Sequence, residues 1–212
     1  MGNDVAIASS LRGELLPDGF PAAGDWWSAA PIAFCADWQG RNHDPSRETE
    51  VRLLWSPEEL FLQFRARYRE ITVFPDCDPG GRRDFMWNRD VAEAFLQPAP
   101  SFPRKYFEFE VSPNSYWIDL AIDLDSAELK KDISSGLRRK ATIDERNRLW
   151  TAEMAIPLRT FGTRVQPKTA WRANFFRIEG PAEPRFYSAW RPTGTERPNF
   201  HVPTAFGTLL FQ

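Results

Sequence analysis

The sequence predicts an all-β fold, an antiparallel sandwich of immunoglobulin-like or jelly-roll-like build with at most short helices, and three observations carry that prediction. Nine Trp, seventeen Phe and eighteen Pro among 212 residues favour strands and punctuated loops over long helices. No helical period persists beyond about three turns. Short β-rich runs recur instead, bounded by Pro, Gly, Asp and Asn. The length suits one domain around one large core, spanning residues 1 to 212.

Taken in order, residues 1 to 48 hold Pro17, Pro21, Pro31 and Pro45 and read as an irregular lead-in with a strand or two, ahead of a sandwich core from 49 to 212. VRLLW and LFLQFRA then flank the turn Ser56, Pro57, Glu58, Glu59, which predicts a hairpin over residues 49 to 66. A loop rich in Asp, Pro and Gly, residues 74 to 88, leads into the strand VAEAFL. In KYFEFEV, Phe107, Phe109 and Val111 alternate with Glu108 and Glu110, giving a strand with one apolar and one acidic face. WIDLAI, GLRRKATID, LWTAEMAI, WRANFFRIE, RFYSAW and FGTLLF continue the series. Residues 125 to 133 and the stretch after Pro157 are each short-helix candidates.

Charge excludes two classes of partner. The 27 basic and 29 acidic residues nearly balance, so no field of one sign draws the chain onto nucleic acid or an anionic membrane surface. No apolar run reaches the length of a membrane span. The start, MGNDVAIASSLRGELL, lacks a basic segment followed by a continuous apolar one, so no signal peptide is read there, and a cytoplasmic location is expected unless the chain was trimmed from a secreted precursor. Cys35 and Cys77 show no spacing typical of a disulfide framework or a zinc site.

Most aromatics in such a composition belong to the core, and Trp190 is read as core or loop support. Aromatics in loops are different. Sugars present C–H-rich faces and hydroxyl edges, so a sugar site needs an exposed flat ring and fixed carboxylate, amide or guanidinium groups. Trp87 in RRDFMWNRD and Phe200 in RPNFHVP each stand just before a strand, where either could wall a site or simply anchor its loop.

Four segments in order then resemble family 9 carbohydrate-binding modules, part of the wider DOMON-like group of sandwiches. WNRDVAEAF resembles that family's tryptophan, aspartate and glutamate pattern, and VRLLWSPEELFLQF its early hairpin. LWTAEMAIPL resembles its glutamate-then-isoleucine-proline strand, and SAWRPTGTERPNFHVPTAFGTLLF its closing pattern. The resemblance implies non-catalytic binding of a mono- or oligosaccharide between two aromatic walls, here Trp87 and Phe200, with Phe200 in place of the usual tryptophan. It further places the family's glutamate on Glu93 and its next polar pair near Glu108 and Glu110, where the family carries an arginine. A role in carbohydrate catabolism beside a glycoside hydrolase partner goes with that reading.

Each candidate also has a plainer role. Glu108 and Glu110 are equally read as a solvated strand face. Asp90, placed among the ligand-binding candidates, would otherwise brace its loop by accepting backbone hydrogen bonds, and Arg177 would pair with the neighbourhood of Glu179. A glycosidase would draw two carboxylates from Asp119, Asp123, Glu93 and Glu110, but only His43 and His201 are available for a Ser-His-Asp arrangement and no phosphate-binding loop follows a strand. Some DOMON-like sandwiches hold a b-type haem through one methionine and one histidine or lysine, and Met86 and His201 flank the two proposed walls. Structural calcium accompanies some family 9 modules, yet Asp76, Asp78 and Asp84 are interrupted by Arg82 and Arg83, and no metal site is assigned. A module docking another protein is the third alternative, recognisable by a sizeable exposed apolar patch.

Overall fold

The computed structural model describes residues 4 to 75 and 81 to 212. In chain order its strands are β1 (Val5–Ser10), β2 (Ile32–Phe34), β3 (Thr49–Trp55), β4 (Glu59–Arg67), β5 (Val91–Gln97), β6 (Lys105–Val111) and β7 (Trp117–Asp123). They continue as β8 (Lys130–Asp132), β9 (Arg138–Asp144), β10 (Leu149–Pro157), β11 (Ala170–Glu179), β12 (Phe186–Ala189) and β13 (Gly207–Phe211). The described helical structure is one α-turn, α1 (Ala23–Trp26), and a few 3-10 turns. The all-β prediction holds.

The strands follow the order β8-β7-β6-β5-β11-β13-β1-β3-β4-β10-β9, with β12 added to β11 and β2 to β3. Neighbouring strands are antiparallel throughout this order save at β1, which runs parallel to both β13 and β3. The lead-in thus supplies the strand that joins the two halves of a curled sheet. Folding one half over the other buries Val51, Leu53, Leu62 and Phe64 against Ala94, Leu96, Phe109 and Phe175. The rings of Phe64 and Phe175 meet edge to face at 6.1 Å across this layer, and each such buried side chain contributes about 1.5–3 kcal/mol relative to exposure.

The hairpin of β3 and β4 forms where the turn residues put it. Leu158–Phe161 forms a 3-10 turn directly after Pro157, but no helix forms in residues 125 to 133. There Lys130 to Asp132 pair with the edge of β7, which satisfies their backbone groups in a ladder instead. No described helix is long and apolar enough to cross a membrane.

Period-two alternation sorts β5, β6, β7 and β11 into two faces. Ala92, Ala94, Phe109 and Phe175 look into the central layer. Val91, Phe95, Tyr106, Ile118, Leu120, Ile122, Phe176 and Ile178 build a second apolar cluster on the other face, covered by loop residues Phe200 and Phe206. The candidate site lies at the edge of that second cluster.

Candidate functional site

A cavity of about 230 Å³ opens on the second face, lined by side chains from β5, β6, β8, β11, β12 and two loops. Its floor follows from alternation: Glu93 shares a face with Val91 and Phe95, and Glu108 and Glu110 share theirs with Tyr106. Strand register then sets Glu93 directly opposite Glu110, and Phe95 opposite Glu108. Three carboxylates converge on one spot.

These acids are not solvated. Glu93, Glu108 and Glu110 are 2%, 1% and 0% exposed, because loops close over a strand face that the alternation alone would leave open. Burial first, and then the Glu108 carboxylate, hold Glu93 well above the usual carboxylate range. Burial likewise raises Glu110, helped by Glu93 and Glu108. Lys130 answers part of this charge, its ammonium lying 3.6 Å from Glu108 Oε1.

Trp87 and Phe200 both line the cavity, in unequal settings. Trp87 sits in the 3-10 turn Met86–Asn88, entered through Phe85 at φ 60; the left-handed residue turns the chain sharply before β5. Phe85 meets the Trp87 ring edge-on at 5.4 Å, and the Lys130 ammonium lies 4.1 Å from the ring centroid. Phe200 is 8% exposed and lies flat on Phe176, centroids 4.2 Å apart at 13°. One of its faces is therefore spent on the core.

His201 stacks on Phe95 at 5.3 Å, and its Nδ1 lies 2.6 Å from the Tyr106 hydroxyl. Burial moves this imidazole down from its ordinary value, against the opposing pull of Glu108. Tyr187 and Asn199 complete the polar rim. Arg185 braces it from behind, bonding the Tyr187 hydroxyl at 2.6 Å and the Trp87 carbonyl.

Two sequence candidates lie elsewhere. Asp90 is displaced from Glu93 by an odd number of residues, so its carboxyl leaves on the other side; it accepts from the backbone N–H groups of Gly180 at 2.9 Å and Thr72 at 3.3 Å. Arg177 alternates with Phe176 and Ile178 for the same reason. Its guanidinium is wholly buried, bonded to Glu179 at 2.7 Å and to the Arg67 carbonyl. Both take the bracing and ion-pair roles weighed as their alternatives. Trp190 also packs in the core, tilted on Phe175 at 5.5 Å.

Of the four glycosidase candidates, Glu93 and Glu110 meet on the cavity floor, and the other two do not join them. Asp119 accepts from the Ser135 hydroxyl at 2.6 Å and Asp123 pairs with Lys105 at 2.8 Å, both away from the cavity lining. Of the proposed haem pair, Met86 is buried in the second apolar cluster and is not part of the cavity lining, while His201 lines the cavity with its Nδ1 2.6 Å from the Tyr106 hydroxyl. Asp76, Asp78 and Cys77 lie outside the described residues. Asp84 stands 3.5 Å from Arg82, and Cys35 Sγ 3.9 Å from His43 Nδ1. Lys130 and Tyr187 were not singled out by sequence; Asn199, beside Phe200 in RPNFHVP, was within reach of the same loop argument.

Comparison with known proteins places this geometry in context. No protein-family model matches the chain. A protein of Arthroderma benhamiae called simply "Extracellular protein" is 28% identical over 182 residues, covering 79% of this chain and 80% of that one. Among solved structures, a Bacteroides uniformis protein whose assignment to carbohydrate binding is itself provisional superposes with a TM-score of 0.75 at 17% identity, covering 98% of this chain and 99% of that one. Family 9 carbohydrate-binding modules from Caldicellulosiruptor kristjanssonii, solved with glucose and with cellotriose, superpose with TM-scores of 0.65 and 0.68 at 16% identity. They cover 98% of this chain, which spans 95% and 93% of theirs. The fold is that of a family 9 carbohydrate-binding module.

Proposed function

We propose that the chain is a non-catalytic carbohydrate-binding protein that receives a sugar in the cavity between Trp87 and Phe200. The observation that carries this reading is a pocket with aromatic side chains on its walls and hydrogen-bond acceptors on its floor, in a fold whose relatives hold glucose and cellotriose. Aromatic rings meet the C–H face of a sugar, and carboxylates accept from its hydroxyls.

The pocket's size narrows the ligand. A volume of about 230 Å³ falls below the range common for drug-sized ligands, so the recognised unit is a monosaccharide or the end of a longer chain. Lys130, whose ammonium lies 4.1 Å from the Trp87 ring centroid, has a stem long and flexible enough to move aside for it. Glu93 and Glu110 stand side by side on one floor rather than across a cleft, which favours holding a sugar over cleaving one.

Titration calorimetry with glucose, cellotriose and a panel of other mono- and oligosaccharides tests the reading. Trp87→Ala is expected to weaken binding by about 1–2 kcal/mol, roughly 5- to 30-fold. Wild-type affinity left unchanged by that substitution would remove the site assignment.

A further inference from the structure

One oxygen from each of Glu93, Glu108 and Glu110 lies within 4.8 Å of the others. Two oxygens on opposite sides of a calcium ion, each at 2.3–2.6 Å, stand about 4.6–5.2 Å apart, so one ion can reach all three. Proximity alone would equally describe three acids crowded together by strand register.

A second observation concerns what these side chains lack. Both oxygens of Glu110, Oε1 of Glu93 and Oε2 of Glu108 are shut off from solvent and accept no hydrogen bond. A buried acceptor left in that state costs about 1–3 kcal/mol, more when charged. Glu110 accepts from no amide, guanidinium, ammonium or hydroxyl group, its polar neighbours being the acids Glu93 and Glu108, although it lines an open cavity through which an ion can enter. Lys130 is the one lysine or arginine in that lining, with Arg185 acting on Glu93 from behind it, so cations are fewer than the three acids.

The geometry points to a divalent-cation site of the calcium class on the cavity floor, held by Glu93, Glu108 and Glu110. The donors are hard carboxylate oxygens, and the nearby imidazole nitrogen Nδ1 is turned to Tyr106, a set that suits calcium better than zinc or copper. Three side chains leave positions in a six- to eight-fold shell open. Sugar hydroxyls would fill them, an extension that rests on the sugar-binding reading above.

Terbium, a luminescent substitute for calcium, tests the site when titrated alone into the full chain with tryptophan excitation. Saturable emission is expected, displaced by calcium. Glu110→Gln should weaken it roughly tenfold or more, and folding should survive because the change keeps the shape and removes a like charge; circular dichroism checks this. Lys130→Ala should tighten terbium binding by removing a competing cation. Absent saturable emission, or identical emission from wild type and folded Glu110→Gln, would overturn the ion site. Sugar titrations with calcium and with EDTA separate the two readings. Sugar binding without terbium binding sinks the ion and spares the sugar; terbium binding without sugar binding does the reverse.

Discussion

Truncating Phe200 to alanine should damage the fold before it damages any binding. Phe200 comes from a loop, yet its ring is 8% exposed and lies flat on Phe176 at 4.2 Å, with Tyr187 edge-on at 6.1 Å. Removing a buried phenylalanine costs about 3–5 kcal/mol, of which about 0.5–1.5 belongs to the ring pair. A loop can settle partly into the space, so the lower figure applies, and about 3 kcal/mol corresponds to a fall of roughly 6–12 °C in Tm for a domain of this size. Calorimetry or urea unfolding reads this directly. Sugar titration well below the lowered Tm then isolates the remaining contribution to binding. A Phe200→Ala protein as stable as wild type would refute the stacking argument, since the ring would then belong to the loop alone.

Gly207→Ala should cost about 1–3 kcal/mol by overpacking, because a Cβ there would stand 2.8 Å from the Asp4 carbonyl and 2.6 Å from the Trp190 ring; unchanged urea unfolding would contradict it. Arg177→Met should cost about 3–5 kcal/mol by leaving buried Glu179 without its ion partner, with Arg177→Met/Glu179→Gln recovering part of the loss. Burial pushes Asp90 up to about 6, against two backbone N–H groups and Arg177. The folded form thus holds a proton that the unfolded form releases near 3.8, so this group's contribution falls by up to about 3 kcal/mol as pH rises from about 4 to 6 and is flat above. Urea midpoints across that window should slope less in Asp90→Asn; equal slopes would deny Asp90 the effect.

The sequence made the strand pattern readable because period two survives whatever the strands pack against. The turn at Ser56 fixed the first hairpin, and VAEAFL and KYFEFEV became β5 and β6. The same period could have removed Asp90 and Arg177 from the candidate site, since each lies an odd number of residues from a neighbour that faces the cavity. Other features depend on distant contacts. Whether Glu108 and Glu110 face water or a closed cavity is decided by loops carrying Trp87 and Phe200, which alternation within β6 cannot see. Lys130 reaches the site only because residues 130 to 132 add to the edge of β7, a pairing that outcompetes local helix formation.

Strand β1 has a consequence in time as well as in space. Ala6 pairs with Leu209 and Ala8 with Leu53, while the Gln212 N–H reaches the Ala8 carbonyl at 2.9 Å. Closing this seam joins segments some 200 residues apart in sequence, the longest loop closure in the fold. The two halves can each gather local hairpins as the chain emerges from the ribosome, but β13 follows all the other strands, so the seam closes after them. Until then β1 and β11 each show the edge that β13 will cover, and a chain with the seam open should be more prone to edge-to-edge association than one with it closed.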